Sequence, residues 1–218
     1  MNKKKMINTQ QVRCILTNVG IAQRAAEGDE PSRTISGYAV RFNEWSKPFW
    51  DEWIESIDSH AFDACDMSDV VMCVDHSTSV SDVLARSQGD SGTLAVSVDA
   101  IGVHFSFDTP KTTTGNDLLE LVRRGDVSEC SFKFIAAEDR WVWRSPHNGL
   151  EYDQRIITRI NKLYDLSVVV SPQYNNTSAV AERAAVADLR AAQATPRRGI
   201  SIAKESDFLR TEYEHFNK

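Results

Sequence analysis

Three side chains of this sequence have the types needed for nucleophilic acyl transfer: a hydroxyl at Ser131, an imidazole at His76 and a carboxylate at Asp165. Ser131 lies in Val127-Ser128-Glu129-Cys130-Ser131-Phe132-Lys133-Phe134-Ile135. Read as a strand, this run points Cys130, Phe132 and Phe134 to one face, which must be the core. Glu129, Ser131 and Lys133 share the opposite face, so the hydroxyl is presented on a rigid element while the neighbouring thiol turns inward. On this segment alone, a solvent-facing strand serine is the commoner explanation. Asp165 sits in Leu163-Tyr164-Asp165-Leu166-Ser167-Val168-Val169-Val170, where alternation places it with Ser167 opposite Tyr164, Leu166 and Val168. A carboxylate in so apolar a strand is costly unless it meets water or a partner, and a histidine would serve. His76 follows the apolar run Val70–Val74 and is flanked by Asp75 and Ser77. The pattern does not separate a general base there from a turn residue or a ligand, nor His76 from His60, His104, His147 and His215.

The elements that must carry these groups are mostly strands. Val12 to Val19 reads as an edge strand, Thr34 to Phe42 as a β-rich opening of the body, and Glu55 to Cys65 as a turn followed by a short helix. Further strands are expected at Val70–Val74, Thr93–Val98, Val103–Phe107, Val127–Ala136, Arg155–Asn161 and Leu163–Val170. One strong helix is expected after a cap at Thr113 or Thr114, with Leu118, Leu119 and Val122 as its apolar face and Arg123-Arg124-Gly125 as its stop. Ala179 to Ala194 is helix-prone, but its small side chains can bury little area. The domain reading is an N-terminal extension over 1–33, a single domain over 34–180, and a helix-prone tail over 181–218 with few large apolar groups.

The chain has 218 residues, 41% hydrophobic and 26% charged, with a net charge of −6. That suits one well-buried domain and argues against a general nucleic-acid binder, which carries a basic face. No apolar run approaches the ~20 residues needed to cross a bilayer, and Gln10, Gln11 and Arg13 break any signal-like stretch after Lys3-Lys4-Lys5. The four cysteines match no disulfide scaffold. Cys73 and His76 form a C-x-x-H near Cys65, but a structural zinc site needs four clustered ligands. No metal and no cofactor is expected.

The order of several motifs resembles the prohead maturation proteases of tailed phages. They are G-Y-A-V-R-F-N at Gly37–Asn43, E-S-I-D-S-H-A-F-D at Glu55–Asp63, the histidine at His76, and L-A-R-S with G-T-L between Leu84 and Leu94. D-L-L-E-L-V-R-R-G-D-V at Asp117–Val127, S-F-K-F from Ser131 and L-S-V-V-V-S-P-Q-Y-N-N-T-S at Leu166–Ser178 complete the series. The resemblance implies Ser131 as nucleophile, His76 as its base and Asp165 as the third member. It implies a serine endopeptidase that cleaves phage scaffold or a major-capsid-protein extension, and itself, inside the immature capsid in the host cytoplasm. It also implies a fold related to herpesvirus assemblin: an α+β, β-rich, compact β-barrel flanked by a few helices, with flexible extensions at both ends. Partners are then the capsid and scaffold proteins and other copies of the chain, with no nucleic acid and no membrane. Lys133 stands where the family has glycine, and Ser59-His60 where it has proline-glycine. Lys133 beside Ser131 keeps two alternatives open: a catalytically weak assembly factor with the same fold, and a Ser131/Lys133 dyad with His76 structural. The oxyanion hole is not located; backbone N–H groups are the expected donors, with Arg86 a further candidate.

Overall fold

In a computed structural model, which describes residues 6–15, 19–21, 32–89, 91–170 and 177–194, the longest elements are two strands joined as one hairpin. They are β10 (Glu129–His147) and β11 (Leu150–Val169). The three strands expected from the hydrophobic pattern between Val127 and Val170 are segments of these two. The charged residues Glu138, Asp139, Arg140 and Arg144 hid the continuity. There the strand alternates exposed with half-buried residues, which dilutes the apolar signal without ending the ladder. Asn148-Gly149 closes the hairpin with φ of 50° and 82°, the backbone that a two-residue type I′ turn requires.

Around this hairpin the chain adds β1 (Gln10–Ile15), β2 (Gly20–Ile21), β3 (Thr34–Arg41), β4 (Trp53–Ile57), β5 (Asp69–Val74) and β6 (Val83–Gln88). It continues with β7 (Ser91–Gly92), β8 (Leu94–Val98), β9 (Gly102–Asp108), α1 (Thr113–Arg124) and α2 (Thr177–Ala194). One sheet has the order β1-β10-β11-β5-β6-β7, with β4 also paired to β11. The other has the order β2-β3-β9-β8. Both β4 and β5 run parallel to β11, against its two halves. The β-rich α+β class therefore holds, but the sheets are not closed into the expected barrel.

Ile35, Phe105, Phe132, Phe134, Met72 and Leu166 are fully buried in the main core, where α1 contributes Leu118, Leu119 and Val122. Thr112, rather than Thr113 or Thr114, caps α1, its hydroxyl accepting from Gly115 N–H. Gly125 ends the helix in the left-handed conformation (φ 79°) that glycine adopts without strain. The tail helix α2 buries Ala185 and Val186 against Met6, Phe49 and Trp53.

The turn and helix expected from Glu55 to Cys65 are corrected. Trp53–Ile57 is a strand buried along its whole length, followed by turns. Glu55 is tolerated there because two guanidinium groups meet it. Arg155 Nη1 lies 2.7 Å from Glu55 Oε2, Arg13 Nε lies 2.6 Å from Oε1, and Arg155 Nε holds Asp139 at 2.8 Å. Burial works to raise the Glu55 pKa, but the two cations outweigh it and hold the carboxyl below its usual range. Removing one member of such a buried set leaves the others uncompensated. Arg155→Ala is expected to cost about 3–5 kcal/mol of stability, read as a lowered urea midpoint.

Candidate active site

β10 and β11 lie side by side, so the residues of one face can be read across the ladder. Ser131 pairs with Ser167 and Lys133 pairs with Asp165. All four side chains project from the same face, opposite Phe132 and Leu166. The alternation that separated Ser131 from Cys130 and Asp165 from Leu166 is thus realised. The expected solvent exposure is not: Ser131 is only 3% exposed. The turn after β5 crosses this face, and β1 runs along the outer edge of β10.

That turn brings the imidazole in. Ser77 N–H donates to Val74 O, and the central residues Asp75 and His76 have φ of 48° and 54°. Two consecutive left-handed residues other than glycine cost on the order of 1–2 kcal/mol each, and such strain is commonly kept where function needs it. It is held by packing on both sides. Asp75 N–H donates to Val168 O, and His76 N–H donates to the buried Ser167 hydroxyl at 2.8 Å. The Ser167 hydroxyl also lies 3.0 Å from Cys73 Sγ.

Held this way, the ring spans the face diagonally. Its Nε2 is 2.6 Å from Ser131 Oγ, and its Nδ1 is 2.5 Å from Asp165 Oδ1. The other carboxylate oxygen, Oδ2, is 2.9 Å from Lys133 Nζ. Burial works to raise the Asp165 pKa, and the hydrogen bonds and positive charge of His76 and Lys133 outweigh it. The carboxyl is therefore held below its ordinary value. The chain thus brings the His76 imidazole into contact with both Ser131 and Asp165, although the three are far apart in sequence.

Ser167 was visible in the sequence only as a residue on the Asp165 face. Its part in fixing the His76 backbone had no signal. Arg86 does not match its expectation as an oxyanion donor, since it is exposed and its guanidinium is engaged by Asp69 at 2.7 Å. Cys73 and Cys65 do not gather with His76 as metal ligands, no such cluster being present among the described residues. Burial raises the thiol pKa of both, that of Cys65 to about 12, which keeps them protonated.

Residues 20–191 match the family described as caudovirus prohead serine protease. The chain belongs to that family. It is accordingly a serine peptidase of phage capsid maturation. No curated protein and no solved structure matches it. Among the described residues no helix is long and apolar enough to cross a membrane.

The depressed carboxyls give this family member a defined acid response. Asp165 and Glu55 have folded pKa values below their unfolded ones. Their contribution to stability is complete above the unfolded carboxylate pKa of about 4 and is lost as pH falls through the folded values. The urea midpoint is expected to drop steeply below about pH 4, and Asp165→Asn to flatten part of that drop.

Proposed function

We propose that Ser131, His76 and Asp165 are the catalytic triad of a serine endopeptidase that matures the phage prohead. The observation that carries this reading is the unbroken contact from Ser131 Oγ through the imidazole to Asp165. His76 Nε2 accepts the hydroxyl proton as Oγ attacks the scissile carbonyl carbon, and the carbonyl π electrons move onto oxygen. Collapse of that oxyanion breaks the C–N bond, and the imidazolium returns its proton to the leaving amine. Water then repeats the sequence on the acyl-enzyme, releasing the acid and restoring Ser131. Asp165 accepts from Nδ1–H throughout, fixing the tautomer and stabilising the cation.

Asp165→Asn is expected to lower kcat by about 10⁴-fold, because an amide can favour the wrong imidazole tautomer. The substrates in this reading are the scaffold or capsid-protein extension inside the immature shell, and the protease itself. Lys133, the departure that left an inactive assembly factor open, sits on Asp165 while His76 keeps its contact with Ser131. The test is a mass spectrum after co-expression with the shell protein. Wild type should shorten the shell protein or scaffold and its own chain, whereas Ser131→Ala should leave all full length. Identical processing in both would overturn the assignment.

A further inference from the structure

The outer edge of β10 is not open. β1 pairs with it antiparallel, setting Cys14 opposite Ser131 and Arg13 opposite Phe132. Two contacts make this more than a sheet edge covered by any strand. The Arg13 carbonyl accepts from the Ser131 hydroxyl at 2.9 Å. That hydroxyl has one proton, and His76 Nε2 at 2.6 Å needs the same proton to act as a base. While β1 is docked, its backbone competes with the imidazole at the atom that must react.

The second contact is the Arg13 side chain. It enters a slot where Nε meets Glu55 Oε1 at 2.6 Å and Nη2 meets Oε2 at 3.2 Å. The guanidinium carbon lies 5.3 Å from the Phe49 ring centre and 5.9 Å from that of Trp53. A fork-shaped pairing to a buried carboxylate, beside the stacked Phe49 and Trp53 rings, is the geometry that selects arginine over other cations. Charge supports the same conclusion. Glu55 and Asp139 face Arg155 and Arg13 in one buried set, which balances only with the β1 guanidinium in place.

β1 lies before residue 20, where the family match begins. Hollows of about 490 Å³ beside Ser87 and Phe107, and about 280 Å³ beside Met6 and Trp141, are lined by none of Ser131, His76 and Asp165.

We propose that the outer edge of β10, with the Glu55–Phe49–Trp53 slot beside it, is a binding site for an extended peptide segment carrying arginine, and that β1 of the same chain occupies it as an inhibitory strand. An incoming peptide adds to β10 by strand pairing, and its arginine replaces that of β1. The binding claim stands by itself. The inhibitory claim rests on Ser131 being the nucleophile.

The test uses the full chain with Arg13→Glu, which sets a carboxylate against Glu55 and expels β1. The probes are fluorescent peptides copying Thr9–Ile15 with Cys14→Ser, one with arginine and one with Arg13→Gln. In the variant, hydrogen exchange should show residues 10–15 unprotected and the remaining sheet protected. The arginine peptide should bind it at least ~10-fold more tightly than the glutamine peptide, and ~10-fold more tightly than it binds wild type. A small fluorophosphonate should label Ser131 at least ~10-fold faster in the variant, since the Arg13 carbonyl no longer competes for the hydroxyl proton. Equal binding of the two peptides, no binding, or continued protection of residues 10–15 overturns the proposal. So does failure of both Arg13→Glu and Arg13→Gln to fold, which would make β1 an integral part of the core. Selective peptide binding without Ser131 labelling in any form upholds the site and removes the nucleophile reading instead.

Discussion

Ser131→Ala is expected to lower kcat on a cleavable peptide by on the order of 10⁶-fold while the chain remains folded. The size follows from the chemistry: without Oγ no acyl-enzyme forms, and His76 and Asp165 have no proton to move. Groups that act as a unit are lost as a unit, so adding His76→Ala or Asp165→Asn to Ser131→Ala should change little further. Structural cost should be small. The substitution removes one hydroxyl from a buried position and with it the bond to Arg13 O, leaving the carbonyl to its place beside the β1–β10 ladder. Unfolding free energies from urea titration within ~1 kcal/mol of wild type would separate lost chemistry from lost fold. A Ser131→Ala protein that still hydrolyses peptide at more than about a hundredth of the wild-type rate would place the nucleophile elsewhere.

How far the sequence could lead depends on which physical signal each part uses. The face of Ser131 was legible because alternation is a two-residue rule, and Phe132 and Phe134 mark the core side without ambiguity. Asp165 was legible for the same reason. His76 was not distinguishable by pattern, because its placement depends on two left-handed residues in one turn and on a Ser167 hydroxyl from a strand far along the chain. No local propensity encodes that pairing. The resemblance to a family supplied the choice, and the fold supplies the contact.

Strand β4 was misread because Glu55 looks like a surface residue. Its burial becomes affordable only when Arg13 and Arg155, distant in sequence, converge on it. Arg155 itself sits at the start of a run expected to be a strand, yet its side chain is fully buried. Long-range ion pairing thus erased the usual link between charge and exposure. β1 is the edge strand that Val12 to Ile15 suggested, but the same effect hid where the Arg13 side chain goes, into the Glu55 slot. Barrel closure was an inference from resemblance, and neither periodicity nor turn chemistry addresses the curvature or pairing that closure requires.

His76→Ala and Lys133→Met should part sharply, and their difference decides which group is the base. His76 Nε2 contacts Ser131 Oγ directly, whereas Lys133 Nζ is engaged on Asp165 Oδ2. Loss of the imidazole should therefore cost kcat nearly as much as loss of Ser131, on the order of 10⁶-fold. Loss of the lysine should cost less than about 10²-fold, the range of a lost positioning contact rather than a lost proton acceptor. Lys133→Arg, which keeps a cation within reach of Asp165 Oδ2, should lose less activity than Lys133→Met. The reverse ranking, with Lys133→Met inactive and His76→Ala retaining most of its rate, would make the amine the base and reduce His76 to a structural turn residue. The geometry opposes that outcome, because Lys133 Nζ is paired with Asp165 Oδ2 at 2.9 Å while the imidazole Nε2 lies 2.6 Å from Ser131 Oγ.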